Sequence, residues 1–232
     1  MTPPAPTASL APAWFIAGTD TGIGKTFSTC ALLQAARNQG LRALGMKPVA
    51  AGAERVDGVL LNEDVAALRA AGSFDPGLER LNPWCFAAPI APHIAAAEEG
   101  RRVEPAPVVE ALAALRRQAD VVFVEGVGGF KVPLAEDYDS ADLAVELALP
   151  VILVVGLRLG CLSHALLTVE AITHRGLTLA GWIGNCVDPE MLRREQNVEA
   201  LRQRIAAPLL GLLQWAPGGS PADQATALTL PR

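Results

Sequence analysis

The sequence predicts an α/β fold: a single domain with a doubly wound, mostly parallel sheet flanked by helices. Val121 to Val124 and Val151 to Val155 are apolar runs rich in β-branched residues and without polar alternation, as strands covered on both faces require. Longer stretches with apolar residues at helical spacing lie between such runs, and strand–helix–strand repetition implies right-handed crossovers. The chain has 232 residues, 51% hydrophobic and 19% charged, which suffices for one large core and excludes a disordered chain.

Taken in order, residues 1–13 carry four prolines and are expected as a loose tail. They hold no positive charge ahead of their apolar residues and so do not read as a secretory signal. The domain is expected over 14–215. Its first strand is Trp14 to Ala17, followed by a glycine-rich turn, a helix over Lys25 to Asn38 and a second strand over Ala43 to Val49. The stretch Ala50 to Pro107, with scattered Gly and Pro and short helical pieces such as Glu63 to Ala71, is expected as a long excursion from the sheet. Helices follow over Val108 to Arg117, Asp139 to Leu147, His164 to His174 (capped by Gly176) and Glu190 to Ile205. Leu179 to Ile183 and Leu209 to Leu213 complete the strands, and 216–232 is expected as a second loose tail.

Charge and cysteine usage narrow the partners. With 19 Lys+Arg against 24 Asp+Glu, the net charge of -5 removes the general attraction to phosphate backbones, so no nucleic acid partner is expected. The longest apolar run, Leu147 to Leu157, is broken by Pro150 and Gly156 and falls far short of the ~20 residues of a membrane span. Cys30, Cys85, Cys161 and Cys186 are widely spaced, the pattern of reduced thiols in a cytoplasmic protein. His93, His164 and His174 show no metal-ligand spacing, and Trp14, Trp84, Trp182 and Trp215 read as packing residues.

In doubly wound sheets ligands sit at the carboxyl ends of strands, so the chemistry is sought there. Gly18-Thr-Asp-Thr-Gly-Ile-Gly-Lys25-Thr26 follows the first strand and opens a helix. Such a turn aims backbone N–H groups and the helix dipole at an anion; a lysine there reaches β- and γ-phosphates, and the next hydroxyl can ligate Mg²⁺. The match to G-x-x-x-x-G-K-[ST] is not literal, because Thr19 stands where the first glycine belongs and Gly18 lies one residue early. Together with its strand–helix context, the turn predicts a P-loop NTPase type of fold binding ATP or GTP.

Phosphoryl transfer also needs metal-anchoring carboxylates. Glu125 ends the apolar strand Val121-Val-Phe-Val, where a charge is costly unless paired or metal-bound, and Gly126, Gly128 and Gly129 then let a ligand approach. Lys47 ends the second strand and reads either as a solvated edge charge or, facing the rim of Lys25, as an anion ligand. Asp64 reads by composition alone as an N-terminal helix acid.

In this order, the pieces resemble the dethiobiotin synthetase family. The resemblance rests on Gly18-Thr-Asp-Thr-x-x-Gly-Lys-Thr26, Lys47-Pro48-Val49-Ala50, Phe86-Ala-x-Pro89-x-x-Pro92-His93 and Val124-Glu125-Gly126-x-Gly128-Gly129. It continues through Pro150 to Gly156, Gly160-Cys161-x-x-His164-Ala165, Gly181-Trp182 with Asn185, and Pro208-Leu-Leu-Gly211, covering about residues 14 to 215. It implies an ATP- and Mg²⁺-dependent cyclo-ligase of biotin synthesis. One amine of diaminopelargonate takes up CO₂ as a carbamate, the carbamate attacks the γ-phosphate of ATP, and the second amine closes the cyclic urea.

The resemblance also implies residue roles. Lys25, Lys47 and Thr21 serve catalysis, and Thr26, Asp64 and Glu125 hold Mg²⁺. ATP meets Gly22, Ile23, Gly24, Lys25, Thr26, Phe27, Asp64, Glu125, Gly126, Val127 and Gly128, with Asn185, Cys186, Gln214, Trp215 and Ala216 around the adenine. The diamine substrate meets Lys47, Ala51, Gly128 and Gly129, and its carboxylate lies at the helix start around Leu162 and Ser163 of a partner subunit, which implies a homodimer. The chain departs from the family at Gly22, where some members carry glutamate, and at Ala51, which lacks a serine hydroxyl often found there. Ser163 stands where an asparagine occurs, and Gln214 where a proline is common.

Two rivals share parts of this pattern. A cobyrinate-type amidoligase usually needs a glutamine-hydrolysing domain, for which the chain has no room. A partition or septum-positioning ATPase, which switches partners without a small-molecule product, carries a second lysine five residues before the loop lysine, where this chain has Asp20. Residues 222–232 also lack the basic amphipathic pattern of a membrane anchor.

Overall fold

The computed structural model describes residues 10–231. The chain begins β1 (Ala13–Gly18), α1 (Lys25–Asn38), β2 (Ala43–Met46), β3 (Val49–Ala51), β4 (Glu54–Val56), β5 (Val59–Leu61) and α2 (Glu63–Ala71). It continues α3 (Leu78–Leu81), β6 (Trp84–Phe86), α4 (Pro92–Glu98), α5 (Ala106–Arg116), β7 (Val121–Glu125), β8 (Pro133–Ala135) and β9 (Tyr138–Asp139). Then follow α6 (Ser140–Glu146), β10 (Val151–Leu157), α7 (Cys161–His174), β11 (Leu179–Cys186), α8 (Arg194–Arg204), β12 (Leu209–Leu213) and a 3-10 helix, Pro221–Ala227.

Six strands form one parallel sheet in the order β12-β11-β10-β1-β7-β2. The chain leaves β1 toward β2 and β7 on one side, then crosses to β10, β11 and β12 on the other. The carboxyl end of β1 is therefore the switch point, where α/β sheets open a crevice. Both faces of the sheet are covered, which is why its strands read as unbroken apolar runs. Phe15, Val122, Val124, Leu153 and Val155 belong to one core, and Ile16, Phe123, Ile152 and Val154 to the other. Cys30, Ala31, Leu32 and Leu33 of α1 complete that second core.

Helix α7 starts at Cys161, before the expected His164, and β11 runs to Cys186, past the expected Ile183; three larger differences follow. The second sheet strand ends at Met46, not Val49, because the Lys47 N–H bonds to Leu81 O at 2.8 Å and Pro48 has no N–H to donate. Val49–Ala51 instead pairs with Trp84–Phe86 in a separate two-stranded ladder. The eighth helix starts at Arg194 rather than Glu190, since the Asp188 side chain holds the Glu190 N–H in a turn and Arg193 takes a left-handed φ of 55°.

The third difference is the carboxyl-terminal stretch expected as a loose tail. Ser220 and Asp223 form a capping box for the 3-10 helix, Gly211 and Leu228 form a β-bridge, and Ala225 and Leu228 are buried. Leu228 enters the core cluster of α1. The amino-terminal tail falls outside the described residues up to residue 9, while Ala11 is already buried. Among the described residues all four cysteines are free, and no helix is long and apolar enough to cross a membrane.

Leu228→Ala should cost about 2–3 kcal/mol of stability, since it leaves a void beside α1. Urea unfolding checks this; a loss below about 0.5 kcal/mol would mean that the segment adds nothing to the core.

Candidate active site at the carboxyl edge of the sheet

The turn between β1 and α1 is held from the β10 side. The Thr19 N–H donates to Val154 O at 3.1 Å, and Arg158, just past β10, forms an ion pair with Asp20. Gly24 takes φ 78°, and a Cβ there would collide with Asn185 Nδ2, so only glycine fits. No side chain caps α1 at Gly24, which leaves the leading N–H groups and the helix dipole for an anion. Gly18 explains the irregular spacing: a Cβ on it would stand 2.9 Å from Lys25 Cδ. The early glycine makes room for the lysine, whose Nζ donates to Asp20 O at 3.1 Å.

Across the cleft, β7 and α2 bring two carboxylates to the same point. Lys47 Nζ lies 2.6 Å from Glu125 Oε1 and 2.8 Å from Asp64 Oδ2. Thr26 Oγ1 lies 2.6 Å from Asp64 Oδ1 and 2.8 Å from Glu125 Oε1. Asp64 is aimed by Asn62, whose side chain caps α2 by accepting from the Asp64 N–H. Lys47 is held by its backbone, its carbonyl accepting from Asn82 Nδ2 at 2.6 Å. Lys47 and Glu125 are 3% and 0% exposed, so neither is a solvated edge charge.

This donor set fits a small divalent cation. One hydroxyl proton on Thr26 cannot serve two carboxylate oxygens at once. Glu125 Oε2 is buried with no hydrogen-bond partner. Mg²⁺ takes oxygen ligands at 2.0–2.1 Å in an octahedron, whose edges are about 2.9 Å, close to the observed oxygen separations. Among the described residues no group of three His, Cys, Asp or Glu could hold a metal ion, so a cation here would rest on the two carboxylates and the hydroxyl, with water or a bound anion completing its shell.

The electrostatics separate the two lysines. Burial lowers the Lys25 pKa, helped by repulsion from Lys47, from 10.5 to about 8, although Glu125, Asp64 and Asp20 oppose the fall. Burial also works against Lys47, but the Glu125 and Asp64 carboxylates outweigh it and hold the ammonium above its ordinary value. Burial would raise Asp64, yet the charge of Lys47 and hydrogen bonds from Lys47 and Thr26 keep it below the usual carboxylate range.

A cleft of ≈ 750 Å³ collects most of the expected residues: Thr21, Gly22, Gly24, Lys25, Thr26, Lys47, Ala51, Asp64, Glu125, Val127 and Gly128 line it, with Pro89 to Pro92 opposite. Thr21 Oγ1 lies 3.4 Å from where a Cβ on Gly128 would be, and Gly129 approaches Gly18 O. Ile23 is buried against Gly156, Phe27 packs on the α1 core, and Gly126 abuts Phe15. Asn185 is buried and donates from Nδ2 to Ile23 O at 2.8 Å, so it braces the phosphate loop.

A second cavity of ≈ 280 Å³ lies beyond Asn185, lined by Cys186, Leu157, Arg194, Leu213 and Gln214 among others. Trp215 and Ala216 follow it on exposed chain. Leu162 and Ser163 are not part of either cavity lining; they sit in the first turn of α7. Arg158, which grips Asp20, is not marked by the sequence, and Arg194, which with Arg193 reads there as a solvated face, instead lines the second cavity and donates from Nη1 to Cys186 Sγ at 2.9 Å. Both contacts depend on side chains brought together only by the fold, and no local pattern signals them. Burial pushes the Cys30 thiol up to about 12, with Glu125 and Asp64 adding to it, an inert group.

Comparison with known proteins places this geometry. A family model described as "AAA domain" matches residues 13–222. The chain is 68% identical over 219 residues to an ATP-dependent dethiobiotin synthetase of Aromatoleum aromaticum, covering 94% of this chain and 97% of that protein. It is 53% identical over 221 residues to that of Xanthomonas axonopodis pv. citri, covering 95% and 99%. Among solved structures, the septum site-determining protein MinD of Pyrococcus horikoshii, complexed with Mg-ADP, superposes with TM-score 0.58 at 19% identity, covering 92% of this chain and 88% of that one. Cobyrinic acid a,c-diamide synthase of Mycobacterium smegmatis gives 0.55 at 15%, covering 93% and 91%. At those identities the likeness to the two structures is one of fold. The likeness to the two synthetases runs over nearly the whole of each chain, and on it the chain belongs to the ATP-dependent dethiobiotin synthetase family.

Proposed function

We propose that the protein is an ATP- and Mg²⁺-dependent cyclo-ligase of the cytoplasm, closing the ureido ring of dethiobiotin from 7,8-diaminopelargonate and CO₂ with release of ADP and phosphate. The observation that supports this reading most is the buried meeting of Lys47, Glu125, Asp64 and Thr26 beside the phosphate loop. It offers a cation site and a fixed ammonium on one wall of a cleft large enough for a second substrate.

The reaction asks for three things of the chain. Phosphates must be held, and the backbone of Gly22 to Phe27 with Lys25 does this at the helix start. Charge must be offset where the carbamate oxygen bonds to the γ-phosphorus and the bond to ADP breaks; Lys25 and Lys47 flank that position. The diamine must be oriented so that its second amine attacks the carbamoyl carbon, expelling phosphate and losing a proton. Lys47 and Gly128 line its place, with Ala51 giving contact but no hydroxyl. Thr26, Asp64 and Glu125 would hold Mg²⁺, which when bound offsets the charge of neighbouring phosphate oxygens.

The active unit in this reading is a homodimer. Only Cys161, Ala165 and Ile172 of α7 are buried within the chain, while Leu167 is 62% and the preceding Leu159 92% exposed. That apolar face next to Leu162 and Ser163 suits a partner copy, whose diamine carboxylate would meet the start of α7. No nucleic acid or membrane enters the reaction.

Incubation with MgATP, bicarbonate and diaminopelargonate should yield dethiobiotin and phosphate in equal amounts. Lys47→Gln should lower kcat by about 100-fold or more while MgADP binding changes little. Phosphate release indifferent to the diamine, with no new product, would reject the ligase reading.

Lys25 gives a pH signature. Its folded value near 8 lies below the ordinary 10.5, so between those values the free site lacks a proton that bound phosphate charge draws back. MgADP binding at about pH 9 should therefore take up protons, and at about pH 6.5 Lys25 should take up none. Calorimetry in buffers of different ionisation enthalpy reads this; equal uptake at both would contradict the placement of Lys25.

A further inference from the structure

The peptide of Gln214 is gripped from outside its own strand. Its N–H donates to Gln224 Oε1 at 2.6 Å, and its carbonyl accepts from Gln224 Nε2 at 2.9 Å. The side-chain amide thus continues the ladder beyond β12, donor facing acceptor at both ends. The opposite amide orientation would set N–H against N–H, so the pairing fixes itself. Gln224 is half-buried on the 3-10 helix, which the Ser220–Asp223 capping box, the buried Ala225 and the Gly211–Leu228 bridge hold against β12 and α1.

Gln214 forms one wall of the ≈ 280 Å³ cavity whose other walls include Leu157, Leu213 and Cys186. That cavity lies on the β11–β12 side of the phosphate loop, joined to it by the bond from Asn185 to Ile23 O. Lys47, Asp64 and Glu125 occupy the opposite, β7–β2 side. A nucleotide with its phosphates on the loop and its metal at Glu125 would direct its base toward this recess, whose walls mix Leu157, Leu212 and Leu213 with Arg194, Glu199 and Arg202, and Gln214 is at its edge.

We propose that Gln224 is a positioning residue for nucleotide binding: its amide locks the Gln214 peptide and so sets the wall against which the base rests. The inference rests on the nucleotide reading above. The same segment packs on α1, the helix that carries Lys25 and Thr26. Nothing local in the sequence marks Gln224; its partner lies ten residues away and meets it only through the returning chain.

The test compares a phosphate ligand with and without a base. Binding of MgADP and of magnesium pyrophosphate is measured by calorimetry for the wild type, Gln224→Ala and Gln224→Glu. Loss of two hydrogen bonds to a solvent-accessible peptide should weaken MgADP by roughly 3- to 10-fold in Gln224→Ala and leave pyrophosphate within about 2-fold. Gln224→Glu keeps an acceptor for the N–H but sets a carboxylate oxygen against the Gln214 carbonyl, so it should be no better than alanine. Unchanged MgADP affinity in both variants would overturn the inference and leave the ligase reading intact. Equal weakening of both ligands would also overturn it, since that places the effect at α1 and not at the base. A wild type that binds MgADP no better than magnesium pyrophosphate, which has the same two phosphates without the nucleoside, draws nothing from the base, and the inference falls together with the nucleotide reading.

Discussion

The Lys47 ammonium, 3% exposed, is a charge that the interior tolerates only because Glu125 and Asp64 surround it. Removing a single partner from such a buried pair costs about 3–5 kcal/mol, because the other charge is left without water or counter-ion. Much of the surrounding architecture serves this meeting. Leu81 and Asn82 hold the Lys47 backbone off the sheet, Asn62 aims Asp64, and the central strand β7 delivers Glu125 from inside the core. The cost of burying the group is offset by its paired carboxylates, and the arrangement holds the atoms of the proposed site in fixed positions.

The topology explains why these atoms converge. Parallel strands put every carboxyl end on one rim, and the switch at β1 places the phosphate loop between two halves with different tasks. The β7–β2 half brings carboxylates and the second lysine; the β10–β12 half brings Asn185 and a recess of mixed polar and apolar walls. Arg158 and Asp20 tie the loop to the second half, and Thr26 ties it to the first.

Much of this was legible in the chain. The buried runs Val121 to Val124 and Val151 to Val155 announced the sheet because strands covered on both faces have no polar positions to interrupt them. Glu125 stood out since an acid ending such a run must be paired. The true end of β2 was not legible: Lys47 is turned away by a hydrogen bond to Leu81, a residue 34 positions later. The carboxyl-terminal segment read as a tail because its polar 3-10 turn buries only Ala225 and Leu228, too few for a periodic signal. The early position of Gly18 is not explained by the loop pattern alone, because the Lys25 side chain that fills the space above it lies seven residues later.

The claim that most of the account depends on is that Lys47 and Glu125 exist as one buried, coupled ion pair. A double-mutant cycle in unfolding free energy, with Lys47→Met, Glu125→Gln and the two together, measures that coupling directly. The account predicts that each single change is strongly destabilising and that the double variant is more stable than their sum by about 2–3 kcal/mol. Additivity within about 0.5 kcal/mol would show two independent residues and contradict it.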